Sequence, residues 1–190
     1  MRRLSTVLAG TVMMLLALLT PAGAAAAATT AHAGDSSFAF ALITLNTAVA
    51  PNGGMMAGPG DWIQVTGGGT FNPGTGGVHA GGGFVHHNAD GTVHCEGTWK
   101  ATALTGWTDF GAGRHRLHGG TVSLLVTHYC ATMDEVHTGI AMTVTSTRDA
   151  PAGSGYLDGV TVGEFTQPTG GAVAIRCGAA PFSAVGGRGF

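Results

Sequence analysis

Glycine is the residue that most narrows the folds open to this chain. It supplies 34 of the 190 residues, more than twice the usual share of about 7%. The glycines follow no three-residue period, so a collagen triple helix is out. Some cluster inside segments that alternate apolar and polar side chains, as Gly67-Gly68-Gly69 does. A helical period is absent almost everywhere, and the charged i,i+4 pairs that solvate a helix surface are missing. Glycine within a strand suits a sharp bend where a sheet closes on itself, because a missing side chain relieves crowding at the corner. The class is therefore all-β.

Alternation places the strands. Phe38, Phe40 and Leu42 share a face within 37–45, and a further strand spans 61–66 before the triple glycine. Residues 83–88 and 92–101 flank Asp90-Gly91, the strongest short-range hairpin signal. Residues 121–130 and 139–147 make a second hairpin, and 159–165 with 171–177 a third. Residues 50–60 hold two prolines and four glycines, which marks a loop. Short strands joined mostly by hairpins predict a single antiparallel β-barrel of about eight strands, with a β-sandwich as the alternative. Strand order is not written in the pattern.

The N-terminus carries a separate signal. Arg2 and Arg3 precede a 13-residue apolar run from Val7 to Leu19, Pro21 breaks the run, and Ala22-Gly23-Ala24 offers small side chains for cleavage. That is the build of a secretory signal peptide, and the run is too short to span a bilayer comfortably. The expected organisation is a signal peptide over 1–26, a flexible segment with one possible strand over 27–60, and a β domain over 61–190. The mature chain is then expected outside the cell, without a transmembrane segment. Charged residues make up 9% of the chain, against about 25% in an average domain. Lys100 is the single lysine. A nucleic-acid binder needs clustered cations to displace phosphate counterions, so no nucleic-acid partner is expected.

A two-residue type I′ turn at Asp90-Gly91 sets His87 opposite His94, His86 opposite Cys95, Phe84 opposite Gly97 and Gly82 opposite Trp99. Phe84, Val93, Cys95 and Trp99 then face the core, while His87, His94, Glu96 and Lys100 face water. A slip of one residue exchanges the two faces. In the next hairpin Val122, Leu124 and Val126 share the inner face with His128 and Cys130, answered by Ile140, Met142 and Val144. Val173, Ile175 and Cys177 share a face on the last strand. All three cysteines of the chain thus lie on apolar faces. Any two could pair, and Cys95–Cys130 is the expected bond in an oxidising compartment, because both lie in the central hairpins and close a large loop.

Histidine is the other unusual residue. Nine histidines outnumber the eight lysines and arginines together, and eight of the nine lie between positions 79 and 137. Imidazole is the commonest metal ligand and titrates near neutrality. On the outer face His87, His94 and Glu96 combine a cross-strand pair with a carboxylate, a set able to hold Zn²⁺ or Cu²⁺ with an open position. A solvated polar face is the plainer reading. On the inner face His86, Cys95, His128 and Cys130, with Met142 nearby in the pattern, match a zinc or copper ligand set, but a disulfide would consume the same thiolates. His86, His128 and Trp99 are the candidates to line a ligand pocket.

The other chemistry-bearing residues point nowhere in particular. Trp62, Trp107, Phe110 and Tyr156 add aromatic surface that more often packs a core than forms a platform. No G-x-S-x-G or H-E-x-x-H run is present. Glu96, Glu164, Asp109 and Asp158 show no spacing that selects a glycosidase pair. Residues 133–137 form the best acidic-histidine cluster outside the strands, and a polar hairpin tip explains them by default.

Three functions follow as expectations. The first is a secreted, non-enzymatic β-barrel domain that binds an unidentified small molecule, with no cofactor, in an interior punctuated by histidines. The second is an extracellular zinc- or copper-binding protein. The third is an isomerase or cyclase that works by holding a reactive ligand in a shaped cavity.

Overall fold

A computed structural model describes residues 37–112 and 117–178. The expected signal peptide over 1–26, the segment that follows it to residue 36 and the last residues from 179 lie outside the described residues. Nine strands form one sheet: β1 (Phe38–Val49), β2 (Trp62–Asn72), β3 (Gly77–His87), β4 (Val93–Ala112), β5 (Leu117–Cys130), β6 (Glu135–Ser146), β7 (Gly159–Val162), β8 (Gln167–Gly170) and β9 (Val173–Cys177). Every pairing between them is antiparallel. No helix forms among the described residues, so none is long and apolar enough to cross a membrane.

The order runs β4-β3-β2-β1-β9-β5-β6-β7, and a β4–β5 pairing closes the first six of these into a ring. The all-β expectation holds, with a barrel-like closure. β6 and β7 continue beyond the ring, β8 adds to β1, and β7 returns against β1 and β8. The strand expected ahead of residue 61 is β1, which lies between β2 and β9 inside the ring.

The glycine runs sit where the ring bends. Gly68 of β2 faces Gly81 of β3 across the ladder. A Cβ on Gly68 would strike the Phe40 carbonyl, and one on Gly82 would strike the Thr66 carbonyl. Adjacent strands can therefore coil this tightly only because no side chain stands between their backbones. Trp99 of β4 pairs with Gly82, as its register predicts, and donates its indole N–H to the Thr66 carbonyl at 2.9 Å.

Alternation places most of the core correctly. Phe38, Phe40, Ile63, Val65, Val122, Leu124, Val126, Met142, Val144 and Ile175 are buried in one cluster. Three expectations need correcting. Residues 159–165 and 171–177 do not form a hairpin: β7 pairs with β6, and β9 inserts between β1 and β5. A tight Val162–Phe165 bridge turns the chain, and β8 carries it across to β1. The second correction concerns β4, which continues past residue 101 to Ala112. It bulges three times against β5 on the way, so periodicity breaks where pairing does not.

The third difference lies at the turn before β4. Gly91 takes φ 86°, its N–H bonds the Asn88 carbonyl, and the Asn88 N–H bonds the Thr92 carbonyl. This is a longer loop than a two-residue type I′ turn, closed by a residue in the left-handed region. His86 still pairs with Cys95 and Phe84 with Gly97, but the ladder shifts after His86, and His87 faces Val93. Val93 is exposed rather than buried.

Candidate functional site

The shifted turn decides where the histidines go. His94 no longer stands opposite His87. Its ring lies beside that of His86, with centroids 4.6 Å apart. His87 instead stacks flat on Trp62, centroids 3.8 Å apart and planes within 5°. Its Nδ1 lies 3.3 Å from the Gly91 carbonyl, and its Nε2 is buried without a hydrogen-bond partner. Glu96 is exposed and borders an outer trough, with its backbone N–H bonded to Thr132 Oγ1. The cross-strand pair expected in the outer metal set is therefore absent. Among the described residues, no group of three or more His, Cys, Asp and Glu side chains is arranged to hold a metal ion.

The inner four-ligand set is overturned more directly. Cys95 and Cys130 form a disulfide, with Cα atoms 5.8 Å apart, so neither thiolate is available as a ligand. The bond ties the start of β4 to the end of β5, as expected. Cys177 is free and half-buried.

What remains of that set forms a pocket. His86, on β3, and His128, on β5, both line a cavity of about 280 Å³ with Ile63, Phe84 and Phe165 as apolar wall. His94 and His137 complete the imidazoles, and Met55, Met56, Met133 and Glu135 form the remaining lining. A larger depression of about 570 Å³ on the outer face of β2, β3 and β4 is lined by Gln64, Thr66, Val85 and Thr98 among others. That trough holds no imidazole and is more open to solvent, so the smaller pocket is where chemistry gathers. Trp99 borders neither; it is a core side chain, contrary to its expected place beside a ligand.

Each inner histidine is held by a different interaction. His86 Nε2 lies 3.1 Å from Asp61 Oδ2, both nearly buried. Asp61 stands at the end of the glycine-rich loop and also accepts the N–H groups of Gly58 at 2.8 Å and Ala89 at 2.9 Å. Burial alone would raise its pKa, but these N–H groups and His86 outweigh burial, and the carboxyl is held below its ordinary value. An ionised Asp61 accepts only, so Nε2 carries the proton and Nδ1 keeps its lone pair.

His86 titrates below its ordinary value, chiefly because it is buried, with neighbouring imidazoles adding to the effect and Asp61 opposing it. His128 stacks on Phe84 with centroids 4.5 Å apart. Burial first, and His137 second, push its pKa down to about 4. At neutral pH both rings are uncharged. The pocket thus offers lone pairs and apolar wall rather than positive charge.

Sequence reasoning placed His86 and His128 here but missed Asp61, Phe165 and the methionine rim. The 133–137 cluster had marked one side of the pocket; the 50–60 loop carried no signal beyond its turn residues. Comparison with protein-family models, with curated proteins and with solved structures returned no match to this chain.

Proposed function

We propose that this chain is a secreted, non-enzymatic binding domain that takes a small ligand into the histidine-lined pocket at the edge of its ring. One observation carries the reading. A cavity of about 280 Å³ has an apolar wall of Ile63, Phe84 and Phe165 on one side and imidazoles on the other. Ligand pockets are commonly built this way, apolar with a few placed polar groups, and this volume lies just below their usual range of about 300 to 1,000 Å³, which suits a very small ligand. The uncharged His86 and His128 rings favour a compact, neutral or lone-pair-seeking ligand over an anion. The buried disulfide is compatible with an oxidising compartment.

The test is ligand-observed NMR against small, mostly apolar fragments, with His94→Trp as the blocked control. His94 is exposed and borders the pocket, so a larger ring there fills the cavity without entering the core. Fragments that bind the native chain and are lost in His94→Trp support the reading. Fragment binding that His94→Trp leaves unchanged overturns it, as does a pocket that takes up neither a fragment nor a lone-pair-seeking ion.

The Asp61–His86 pair favours a second reading, the isomerase or cyclase. A carboxylate-oriented, uncharged imidazole at an apolar cavity has the form of a general base. Chemical change in a bound fragment, lost in His86→Gln, would move the chain from binder to enzyme.

A further inference from the structure

Three methionines and two contacting imidazoles meet in one pocket, and their shared chemistry is soft. Four methionines lie among the described residues: Met55, Met56, Met133 and Met142. Met142 is in the core, whereas the other three line the histidine pocket. They reach it from two separate loops, 50–61 and 131–134, so the gathering is made by tertiary structure and not by sequence proximity. Leucine would fill an apolar rim as well. What methionine adds is an uncharged, polarisable sulfur donor.

We infer that the ligand of this pocket is a soft monovalent cation, Cu⁺, held by His86 Nδ1, the His94 ring and thioether sulfur from the methionine rim. The inference rests on the pocket reading above and names its ligand class.

Three observations support it. First, the His86 and His94 rings already adjoin, with centroids 4.6 Å apart. Second, His86 has the outer support that metal-bound histidines usually have: a carboxylate takes one ring N–H and leaves the other nitrogen as donor. Asp61 is itself fixed by two backbone N–H groups. Third, no group of three hard or borderline donors is assembled among the described residues, which disfavours Zn²⁺ and other ions that need four such ligands. A soft cation selected by thioether and imidazole makes no such demand. Met55 is 99% exposed and sits beside Gly53 and Gly54, so its sulfur is not committed to packing.

The test uses Ag⁺ as a redox-inert probe and Cu⁺ held reduced under anaerobic conditions with a chromophoric chelator as competitor. The oxidised protein carries Cys177→Ser throughout, because a free thiolate would itself capture either ion. The expected result is one Ag⁺ or Cu⁺ per chain by native mass spectrometry, undisturbed by excess Zn²⁺. His94→Ala and the triple variant Met55→Leu, Met56→Leu, Met133→Leu should each weaken binding at least tenfold while far-UV dichroism stays native. Asp61→Asn should weaken it by about tenfold or more through His86.

An absence of bound ion, or binding that neither the His94 nor the methionine variant alters, overturns the inference. If fragments still bind and are lost in His94→Trp, the pocket reading survives that failure. If neither ion nor fragment binds, both fall together.

Discussion

Acidification should unfold this protein partly through one ring. His128 is 6% exposed, stacked on Phe84 and paired across the ladder with His137 and Trp99. Its folded-state pKa of about 4 lies below the ordinary 6.5. The unfolded chain therefore takes up a proton that the folded chain refuses. Stability from this group is fully present above about pH 6.5 and is lost as the pH falls toward about 4. At about 1.36 kcal/mol per pH unit, the loss across that window is about 3 kcal/mol. The assay is urea unfolding with the disulfide intact at about pH 7, 6, 5 and 4, run on the native chain and on His128→Phe. Phenylalanine keeps a flat ring against Phe84 and cannot titrate. Carboxylates and the distant histidines contribute equally to both proteins, so the difference between the two curves reports His128 together with its charge coupling to His137. The native chain should lose about 3 kcal/mol more than the variant, with most of the divergence between about pH 6.5 and 4. Parallel curves would refute the reasoning and mean that the ring is solvated in the folded state.

Two further perturbations test the frame. Replacing Cys95 and Cys130 by serine opens a loop with a sequence separation of 35. On the chain-entropy account this should cost about 4 kcal/mol in urea unfolding, and a change near zero would show that the unfolded chain is not restrained by the bond. Gly97→Ala should cost about 2 kcal/mol by the same measurement, because a Cβ at that position meets the Tyr129 carbonyl of β5. An unchanged midpoint would mean that β4 and β5 separate there without penalty.

Much of the frame was legible from local chemistry. Alternation reads correctly over 121–130 because β5 has one buried face, so each inward residue from Val122 to Cys130 is apolar, histidine or cysteine. Gly82 beneath Trp99 was readable because a large ring over a bare backbone needs both residues at one register position. β9 was readable as a strand, but its partners were not. Five residues of Val-Ala-Ile-Arg-Cys fit any antiparallel neighbour, and only closure of the ring selects β1 and β5.

The site divides in the same way. Three cysteine pairings were open on the sequence alone, and the β4–β5 ladder selects Cys95–Cys130. The sequence by itself determined the all-β class and the inward course of His86, Cys95, His128 and Cys130. Those properties depend on period two and on near neighbours in a hairpin. Tertiary structure alone decided which histidines meet. One extra loop residue around Gly91 moved His94 from His87 to His86, a change that a pattern of period two cannot register. The methionine rim and Asp61 were equally out of reach, since they arrive on loops whose paths follow from closure of the ring and from hydrogen bonds to backbone N–H groups far along the chain.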